Sequence, residues 1–570
     1  MQRLDAALRK PLSPPAREGL WAALVAASSI LFSLALSCAT PFAAISTIAG
    51  LNVARRNACR LAAPADKRDA PLTQLEANAP TCLDTPSWQS VAIILAVLTI
   101  VRVFAGAHAG LAPDETYYWL CAQTPTFACF DEPSMVAWWI WLSTHILGDT
   151  ALGIRMPTIL AVLVTSLAVF GTARELFSAE SIGRRAVLWF NAMILIGVGA
   201  IFSTPDAPST LFWSISLWAI AAIWRTGRAS LWLLVGLFAG LGCVSKFTNL
   251  FFLLGLLAWL LLDPAGRRWL FSPWLWAGGL IAVIVFLPVF LWNAQHGWIS
   301  FSRLFVRVTA HENTFRYIGE FVLSQVGLLN PFIAFFAALA GVTVWTRRAE
   351  PQRGPYFLLL STMAPLLIYM FIHAVHARVQ ANWLVPIYPQ IAILSAAYVD
   401  PRRMPRFRLR LAQSVAPVGI SLSTIIILYL AHPVRLPLPI PNPGDRLEGW
   451  QDFATAVASV GKQNGASWIA TTNYDVNAEL AFYEGATEPV QEIVERERFN
   501  FAPLGTLQQQ PAILVLSEAQ MKSGHFDHCF SRIDPVATVS RPSANGPVAR
   551  FVIERASGPL FSDKGCQAPR

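Results

Sequence analysis

Two pairs of adjacent carboxylates are the groups in this chain best suited to chemistry. Asp114 and Glu115 form the first pair, and Asp131 and Glu132 follow a short distance along the chain. Aromatic side chains flank both pairs, and an unpaired carboxylate beside apolar groups loses hydration, so it needs a partner or a function. Such a group can act as a general base or bind a cation. The alternative is a solvated acidic turn beside an interfacial aromatic belt.

A third carboxylate and one lysine add to these groups. Asp206 lies between two prolines in residues 203–208, where a turn and helix N-cap is the alternative interpretation. Lys246 interrupts a long apolar run. Its ammonium either extends to the membrane surface or is a fixed cation for a lipid phosphate.

Two further polar segments each lie at the end of an apolar run. Residues 291–298 contain His296, and residues 373–383 contain His376, Arg378, Gln380, Asn382 and Trp383. A lone histidine at an interface is more often structural than functional. Several polar groups on one face strengthen the case for a site.

The composition identifies an integral membrane protein. Of the 570 residues, 55% are hydrophobic and only 14% are charged, with 21 Trp, and the mean hydropathy is +0.48. These values are far too apolar for a soluble fold of this size. The net charge of +9 comes largely from Arg and Lys in short loops, as membrane orientation requires. A nucleic-acid partner is therefore not expected.

The apolar runs can be threaded through a membrane so that the candidate groups share one side. About eleven runs are long enough to cross a bilayer, at 89–105, 151–172, 186–203, 208–224, 230–244, 247–262, 273–292, 321–345, 355–373, 383–399 and 413–431. The Arg-rich loops then share one side, which the orientation rule assigns to the cytoplasm. The candidate groups share the outer side. The short runs 230–244 and 247–262 have an alternative reading as one broken or tilted span.

Both ends of the chain differ from this membrane part at 89–432. Residues 1–88 form an N-terminal extension, predicted to contain an apolar hairpin or in-plane segment because positive charges flank the apolar stretch on both sides. A Pro-rich linker at 433–445 leads to a polar domain at 446–570. Periodicity there predicts a small α/β domain with one helix and three strands, at 449–463, 467–472, 512–517 and 548–554.

Four cysteines fall on the outer side, where oxidation is chemically accessible. Two disulfides, Cys121 with Cys129 and Cys529 with Cys566, are one interpretation, and reduced thiols are the other. The spacing of the cysteines matches no zinc site.

Six motifs in sequence resemble a known family. They are PDExYYW, FDxPxMVAW, TPDAP, GLxxGLxxxSKFT, LWNAQHGWISF and VQANWLVPIYP. Their order resembles membrane glycosyltransferases of the GT-C superfamily. More narrowly, it resembles the bacterial branch related to protein O-mannosyltransferases (glycosyltransferase family 39) and to aminoarabinose transferases of lipid A. The resemblance covers about residues 89–400, and less closely residues 473–475 and 480–483 of the outer domain.

The resemblance implies a fold and a reaction. The fold is a polytopic α-helical membrane protein of the GT-C type, with about 11 to 13 transmembrane helices and a small C-terminal α/β domain in the periplasm. The reaction moves a sugar from a polyprenyl-phosphate donor to an acceptor on the periplasmic face of a bacterial inner membrane, usually with inversion. The acceptor is lipid A, lipopolysaccharide core, another glycan or a protein.

The resemblance also assigns roles to residues. Asp114 is the predicted general base, with Glu115 as a second catalytic candidate. Lys246, Arg378 and His376 are candidates for the lipid phosphate, and Asp131 and Asp206 for sugar, acceptor or a divalent cation. The other predicted substrate-binding residues are Tyr117, Tyr118, Glu132, His296, Gln380, Asn382 and Trp383.

One departure from the family's motifs leaves the identity of the transferred sugar undetermined. Relatives often carry a basic residue followed by two prolines in the second acidic motif, where this chain has Glu132-Pro133-Ser134. The loss of that cation would weaken binding of a phosphate or a sugar carboxylate. The sequence identifies no cofactor; a divalent cation is a candidate, although no ligand spacing requires a metal.

Two other classes of function compete with glycosyl transfer. A transporter or flippase of lipid-linked sugars would place polar groups near the bilayer midplane, often within an internal repeat. The halves of this chain show no repeat, and the polar groups lie at the ends of spans. A non-catalytic scaffold for envelope assembly would tolerate loss of the acidic residues.

Overall fold

The computed structural model describes most of the chain after residue 85. The described residues are 86–124, 126–306, 315–346, 353–434, 442–485, 488–499, 505–524, 526–544, 546–561 and 565–566. The predicted apolar segment within residues 1–88 and the central part of the Pro-rich linker lie outside them.

The described membrane part is helical. Its first helices are α1 (Trp88–His108), α2 (Pro113–Ala122), α3 (Met135–Leu147), α4 (Ala151–Phe177), α5 (Glu180–Asn191), α6 (Ile194–Gly199), α7 (Asp206–Thr226) and α8 (Trp232–Ser245). The later ones are α9 (Leu250–Leu262), α10 (Pro273–Gln295), α11 (Ile299–Val306), α12 (Phe315–Leu328), α13 (Pro331–Thr346), α14 (Arg353–His376), α15 (Tyr388–Tyr398) and α16 (Arg406–Ala431).

Several of these helices have the length and hydropathy of a membrane span. Within the described residues, 6 helices qualify alone, and the number rises to 8 if each of two bent pairs is one span. The shorter apolar helices Met135–Leu147 and Ala229–Ser245 are not in that count. A helical membrane protein is therefore confirmed, while the predicted number of about 11 to 13 crossings stays a prediction.

One predicted crossing is sharply bent. Where the sequence predicts a single span at 321–345, the structure has α12 and α13, which are bent by 109°. Asn330 lies at the bend with φ 74°, and its side-chain amide donates to the Val415 carbonyl at 3.2 Å. This bond anchors the bend to α16.

Other predicted crossings are interrupted. The run at 186–203 is divided between α5 and α6, and the run at 383–399 begins with the 3-10 helix Ala381–Ile387. Lys246 has extended backbone angles, φ −158° and ψ 137°, so α8 ends at this residue and a 3-10 turn leads to α9. These interruptions place polar side chains at helix ends.

Close helix packing fixes α8 against α10. A Cβ added at Gly236 of α8 would lie 1.9 Å from the carbonyl oxygen of Gly278 in α10. The two backbones therefore touch, and only glycine fits there. Helix α7 packs against both α4 and α8, which sets its first residue, Asp206, beside the end of α8.

The C-terminal domain is a five-stranded sheet with helices. Its strands are β1 (Trp468–Thr471), β2 (Val490–Glu492), β3 (Ala512–Ser517), β4 (Phe530–Arg541) and β5 (Ala549–Pro559), in the order β2-β1-β3-β5-β4. Strands β1, β2 and β3 are parallel, whereas β5 runs antiparallel to β3 and β4. The helices are α17 (Trp450–Gln463), α18 (Tyr474–Glu484) and α19 (Glu518–Ser523).

The core of this domain forms between the sheet and two of its helices. Phe453 of α17 and Leu480 of α18 pack with Ile469, Ile513 and Ile553 of the strands, and all five are fully buried. The predicted helix and three predicted strands occur where the periodicity placed them, while β2 and β4 were missed. Disulfides join Cys121 to Cys129 and Cys529 to Cys566.

Candidate active site

A cavity of about 510 Å³ lies where the C-terminal domain meets the ends of the membrane helices. Its lining from the membrane part is Asp114, Tyr118, Asp131, Glu132, Thr204, Pro205, Asp206, Lys246, Gln380, Asn382 and Trp383. Its lining from the C-terminal domain is Thr472, Asn473, Tyr474, Asp475, Glu492, Val494, Glu495 and Arg498. Most of the predicted site residues therefore share one cavity.

Asp114 faces this cavity from the first turn of α2. Pro113 begins the helix, where its fixed φ is favourable and its missing N–H costs nothing. The Tyr474 hydroxyl donates to Asp114 Oδ1 at 2.5 Å. Although Asp114 is exposed to the cavity, desolvation by the surrounding cavity wall raises its pKa, the Tyr474 hydrogen bond opposes that rise, and nearby Asp131 adds to it. Asp114 is thus a carboxylate with increased proton affinity, as a general base requires.

Asp206, Lys246 and Asn382 form a second group in the cavity. Lys246 Nζ lies 2.7 Å from Asp206 Oδ1, and the Asn382 amide donates to Asp206 Oδ2 at 2.6 Å. The side chains of Lys246 and Asp206 are only 7% and 12% exposed. A pair so shielded from water interacts more strongly than a surface pair. Asp206 thus holds the Lys246 ammonium group at a defined point of the cavity wall.

Glu132 lies close to that cation. The backbone N–H of Phe247 donates to Glu132 Oε2 at 3.3 Å. Burial raises the pKa of Glu132 to about 7, although Lys246 and this hydrogen bond oppose the rise. Glu132 can therefore bind or release a proton near neutral pH.

Arg498 of the C-terminal domain joins the two halves of the cavity. Its guanidinium pairs with Asp131 of the membrane part and with Glu495 at 2.8 Å in its own domain. It also lies 4.7 Å from the ring centre of Tyr474, within range of a cation–π interaction. The C-terminal domain is thereby docked onto the acidic loop by charge.

The prediction of Glu115 as a catalytic residue needs correction. Arg155 Nη2 lies 2.5 Å from Glu115 Oε2, and both side chains are fully buried. Arg155 Nε donates to Glu115 Oε1 at 2.8 Å, and the Ser203 backbone N–H donates to the same oxygen at 3.0 Å. A carboxylate enclosed by these donors has no access to the cavity, so Glu115 is a structural anchor. Tyr117 is also buried, in the adjoining apolar cluster.

Three other predicted residues are placed away from the cavity lining within the described part of the chain. His296 stacks on Trp292 with ring centres 4.0 Å apart. The side chain of Arg378 is 74% exposed and pairs with Glu320 at 2.5 Å. His376 is the last residue of α14. Their assignment as substrate ligands finds no support in this geometry.

Sequence reasoning missed the contribution of the C-terminal domain. The motif at 473–475 was quoted as part of the resemblance, but Tyr474 and Asp475 received no role. Arg498 stands in the charged run 495–498, which reads equally well as a solvated surface. Only the fold shows that these residues face Asp114.

The described residues contain one group of three side chains with metal-ligand spacing. It consists of His528, Cys529 and Cys566, and its two cysteines are joined in a disulfide. Among the described residues, no three carboxylates of the cavity lining show the same spacing.

Comparison with known proteins gives relatives of one reaction class. Residues 131–292 match the family described as dolichyl-phosphate-mannose-protein mannosyltransferase. The lipid A galacturonosyltransferase RgtD of Rhizobium johnstonii is 28% identical over 386 residues, which are 65% of this chain and 76% of that protein. The undecaprenyl phosphate-alpha-4-amino-4-deoxy-L-arabinose arabinosyl transferase of Edwardsiella ictaluri is 27% identical over 50% of this chain and 55% of its own length.

A solved structure shares the fold. The crystal structure of ArnT from Cupriavidus metallidurans bound to undecaprenyl phosphate has a TM-score of 0.59 at 15% sequence identity, over 85% of this chain and 100% of that one. The chain spans about half the length of the Edwardsiella relative, but the whole of this structural neighbour. The predicted GT-C fold, the multi-pass bacterial membrane class and the glycosyltransferase class are confirmed.

Proposed function

We propose that this GT-C glycosyltransferase transfers a sugar from a polyprenyl-phosphate donor to a lipid or glycan acceptor at the periplasmic face of the inner membrane. One observation carries the proposal. A carboxylate with raised pKa, Asp114, and a fixed, buried cation, Lys246, line the same cavity at the ends of membrane helices. Transfer from a lipid phosphate needs a group of each kind.

The reaction is a substitution at the anomeric carbon. An acceptor hydroxyl oxygen forms a bond to C1 of the sugar, and the bond between C1 and the phosphate oxygen breaks. The electron pair of that bond leaves with the phosphate, and the hydroxyl proton passes to Asp114 Oδ2 or Oδ1. Attack from the face opposite to the leaving group inverts the configuration.

Lys246 is our candidate for the leaving phosphate. Its ammonium is held at the cavity wall by Asp206, which itself is bound by Asn382. A fixed cation stabilises charge that grows on the leaving oxygen without reorganising as the bond breaks. Undecaprenyl phosphate, bound in the structural neighbour, is the carrier that we propose here.

The outward orientation follows from charge. Arginines cluster at helix ends away from the cavity: Arg184 and Arg185 lie in α5, Arg225 in the last turn of α7, and Arg267 in the short helix that follows α9. Loops rich in Arg stay in the cytoplasm, so the cavity and the C-terminal domain face the periplasm.

A divalent cation remains a separate proposal. The carboxylates that line the cavity outnumber its cationic side chains, but they do not form a prebuilt three-ligand group. Oxygen atoms of the substrate would have to complete the shell of any ion. No step above depends on it.

The test is transfer by purified protein in detergent micelles. Undecaprenyl-phosphate sugars from a strain lacking the protein are mixed with lipid A of the same strain, and products are identified by mass spectrometry. A single sugar increment on lipid A is expected from wild-type protein. It is also expected from the control Asp263→Asn, which changes a carboxylate that caps a short helix remote from the cavity lining.

The outcome separates the enzyme from the two competing classes. Micelles have no compartments, so a transporter or scaffold gives no product in this assay. Failure with lipid A and success with core oligosaccharide or a protein extract would keep the reaction and change the acceptor. Failure with all of them would overturn the proposed function.

A further inference from the structure

The C-terminal domain presents the carboxyl ends of two parallel strands to the cavity. Strands β1 and β2 are parallel neighbours, with Ile469 opposite Val490 and Thr471 opposite Glu492. Residues that follow each strand line the cavity: residues 472–475 after β1, and Val494, Glu495 and Arg498 after β2. In parallel α/β sheets, ligands bind at this edge. The edge here faces Asp114.

A buried carboxylate oxygen lacks a hydrogen-bond partner at this edge. Glu492 ends β2, is only 1% exposed and lines the cavity. Its Oε1 accepts the Val494 N–H at 2.9 Å, and the Glu495 N–H also lies close to the carboxyl group, while Oε2 accepts no hydrogen bond of normal geometry from the described residues. Thr472 Oγ1, after β1, also makes none with them. Buried polar atoms are normally satisfied, so both atoms fit groups supplied by a ligand.

The charges of this edge define the chemistry of that ligand. Asp475, Glu492 and Glu495 stand there with one guanidinium, Arg498, which is already paired with Asp131 and Glu495. Carboxylates accept hydrogen bonds from hydroxyl groups, and they repel phosphates and other carboxylates. An uncharged, hydroxyl-rich sugar ring satisfies this edge, whereas a phosphorylated group does not.

Helix α18 connects this edge to the proposed base. Asn473 caps the helix by accepting the backbone N–H of Asp475 at 2.8 Å. The next residue, Tyr474, donates to Asp114 at 2.5 Å. A hydroxyl bound between β1 and β2 therefore lies beside the residue that holds Asp114.

We propose that the carboxyl edge of β1 and β2 is the acceptor subsite. There Glu492 and Thr472 bind the hydroxyl groups of an uncharged sugar ring that belongs to the acceptor. This inference rests on the proposed function. The membrane part then binds the donor through Lys246, and the C-terminal domain binds the acceptor. The two substrates meet at Asp114.

The test separates binding of the two substrates. Glu492→Gln and Thr472→Val keep the shape of each side chain but weaken or remove its acceptor. Burial raises the pKa of Glu492 to about 7, so the micelle assay is run at a pH above that value, where Glu492 is ionised. The KM for lipid A is then expected to rise about 10-fold in Glu492→Gln, since a hydrogen bond to a charged group is lost. The inhibition constant of undecaprenyl phosphate measures binding at the donor part of the site. It is expected to stay at the wild-type value.

Glu488→Gln is the matched control. Glu488 is buried and precedes β2, so it stands at the opposite end of the same strand, away from the cavity lining. Its KM for lipid A should equal the wild-type value. Two results for Glu492→Gln would overturn the inference. One is a change in the inhibition constant of undecaprenyl phosphate without a change in the KM for lipid A, and the other is no change in either constant. Absence of transfer by wild-type protein would instead overturn the proposed function.

Discussion

Replacing Tyr474 with phenylalanine should make the enzyme more sensitive to acid. The Tyr474 hydroxyl donates to Asp114 Oδ1 at 2.5 Å, and this bond favours the ionised carboxylate. Phenylalanine keeps the ring and removes only the donor. Because the base acts as a carboxylate, activity is present above the pKa of Asp114 and is lost as pH falls through it. Loss of the bond raises that pKa, so the acidic limb moves to higher pH.

The size of the expected rise in the Asp114 pKa follows from the strength of the Tyr474 hydrogen bond. A hydrogen bond to a charged group contributes about 1.5–3 kcal/mol. We expect the lower end, because the hydroxyl can also donate to a protonated carboxyl. About 1.4 kcal/mol is a factor of ten, so the protonation equilibrium of Asp114 should shift about tenfold toward the protonated form. Activity at alkaline pH, where Asp114 is ionised in both proteins, should change far less.

The assay is the pH dependence of kcat/KM for transfer to lipid A in micelles, which reports ionisation of the free enzyme. Tyr483→Phe is the control, since Tyr483 lies on the same helix and does not line the cavity. Its profile should match the wild-type profile. An acidic limb that stays in place in Tyr474→Phe, or that moves to lower pH, would refute the link between Tyr474 and the base.

Two other substitutions separate binding from stability. Lys246→Ala should raise the inhibition constant of undecaprenyl phosphate about 10-fold or more, because a charge-assisted contact to phosphate is lost. An unchanged constant in folded protein would remove Lys246 from the phosphate site. Glu115→Ala should cost about 3–5 kcal/mol of stability, because it leaves the Arg155 guanidinium buried without its partner. Normal thermal unfolding in detergent, with loss of turnover alone, would instead restore a catalytic role for Glu115.

The membrane half of the site could be predicted from the sequence because its residues stand at the ends of recognisable apolar runs. Asp114, Asp131, Asp206 and Lys246 were predicted on one face, and all four line the cavity. Hydropathy fixes where a run ends, and the distribution of arginines fixes which ends share a side.

Adjacent residues in a helix could not be told apart in this way. Asp114 and Glu115 are neighbours in the first turn of α2, and consecutive helical side chains point about 100° apart. One therefore faces the cavity and the other faces Arg155. A sequence pattern gives no means to choose, since the partner of Glu115 lies in α4.

The C-terminal half of the site was out of reach for a different reason. Thr472 and Glu492 become neighbours only through the parallel pairing of β1 and β2, and β2 has only 3 residues. So short a strand leaves no periodicity to detect. The bend between α12 and α13 was missed because Asn330 stabilises it through a contact with a distant helix.

The most direct test of the account is turnover by Asp114→Asn. Asparagine keeps the size of the side chain and can still accept the hydrogen bond from the Tyr474 hydroxyl, but it cannot take up the proton of the acceptor hydroxyl. The protein should fold, bind undecaprenyl phosphate and lose about 10²–10⁴-fold in transfer to lipid A, as expected for removal of a general base. Wild-type turnover in Asp114→Asn would contradict the central claim that Asp114 is the base.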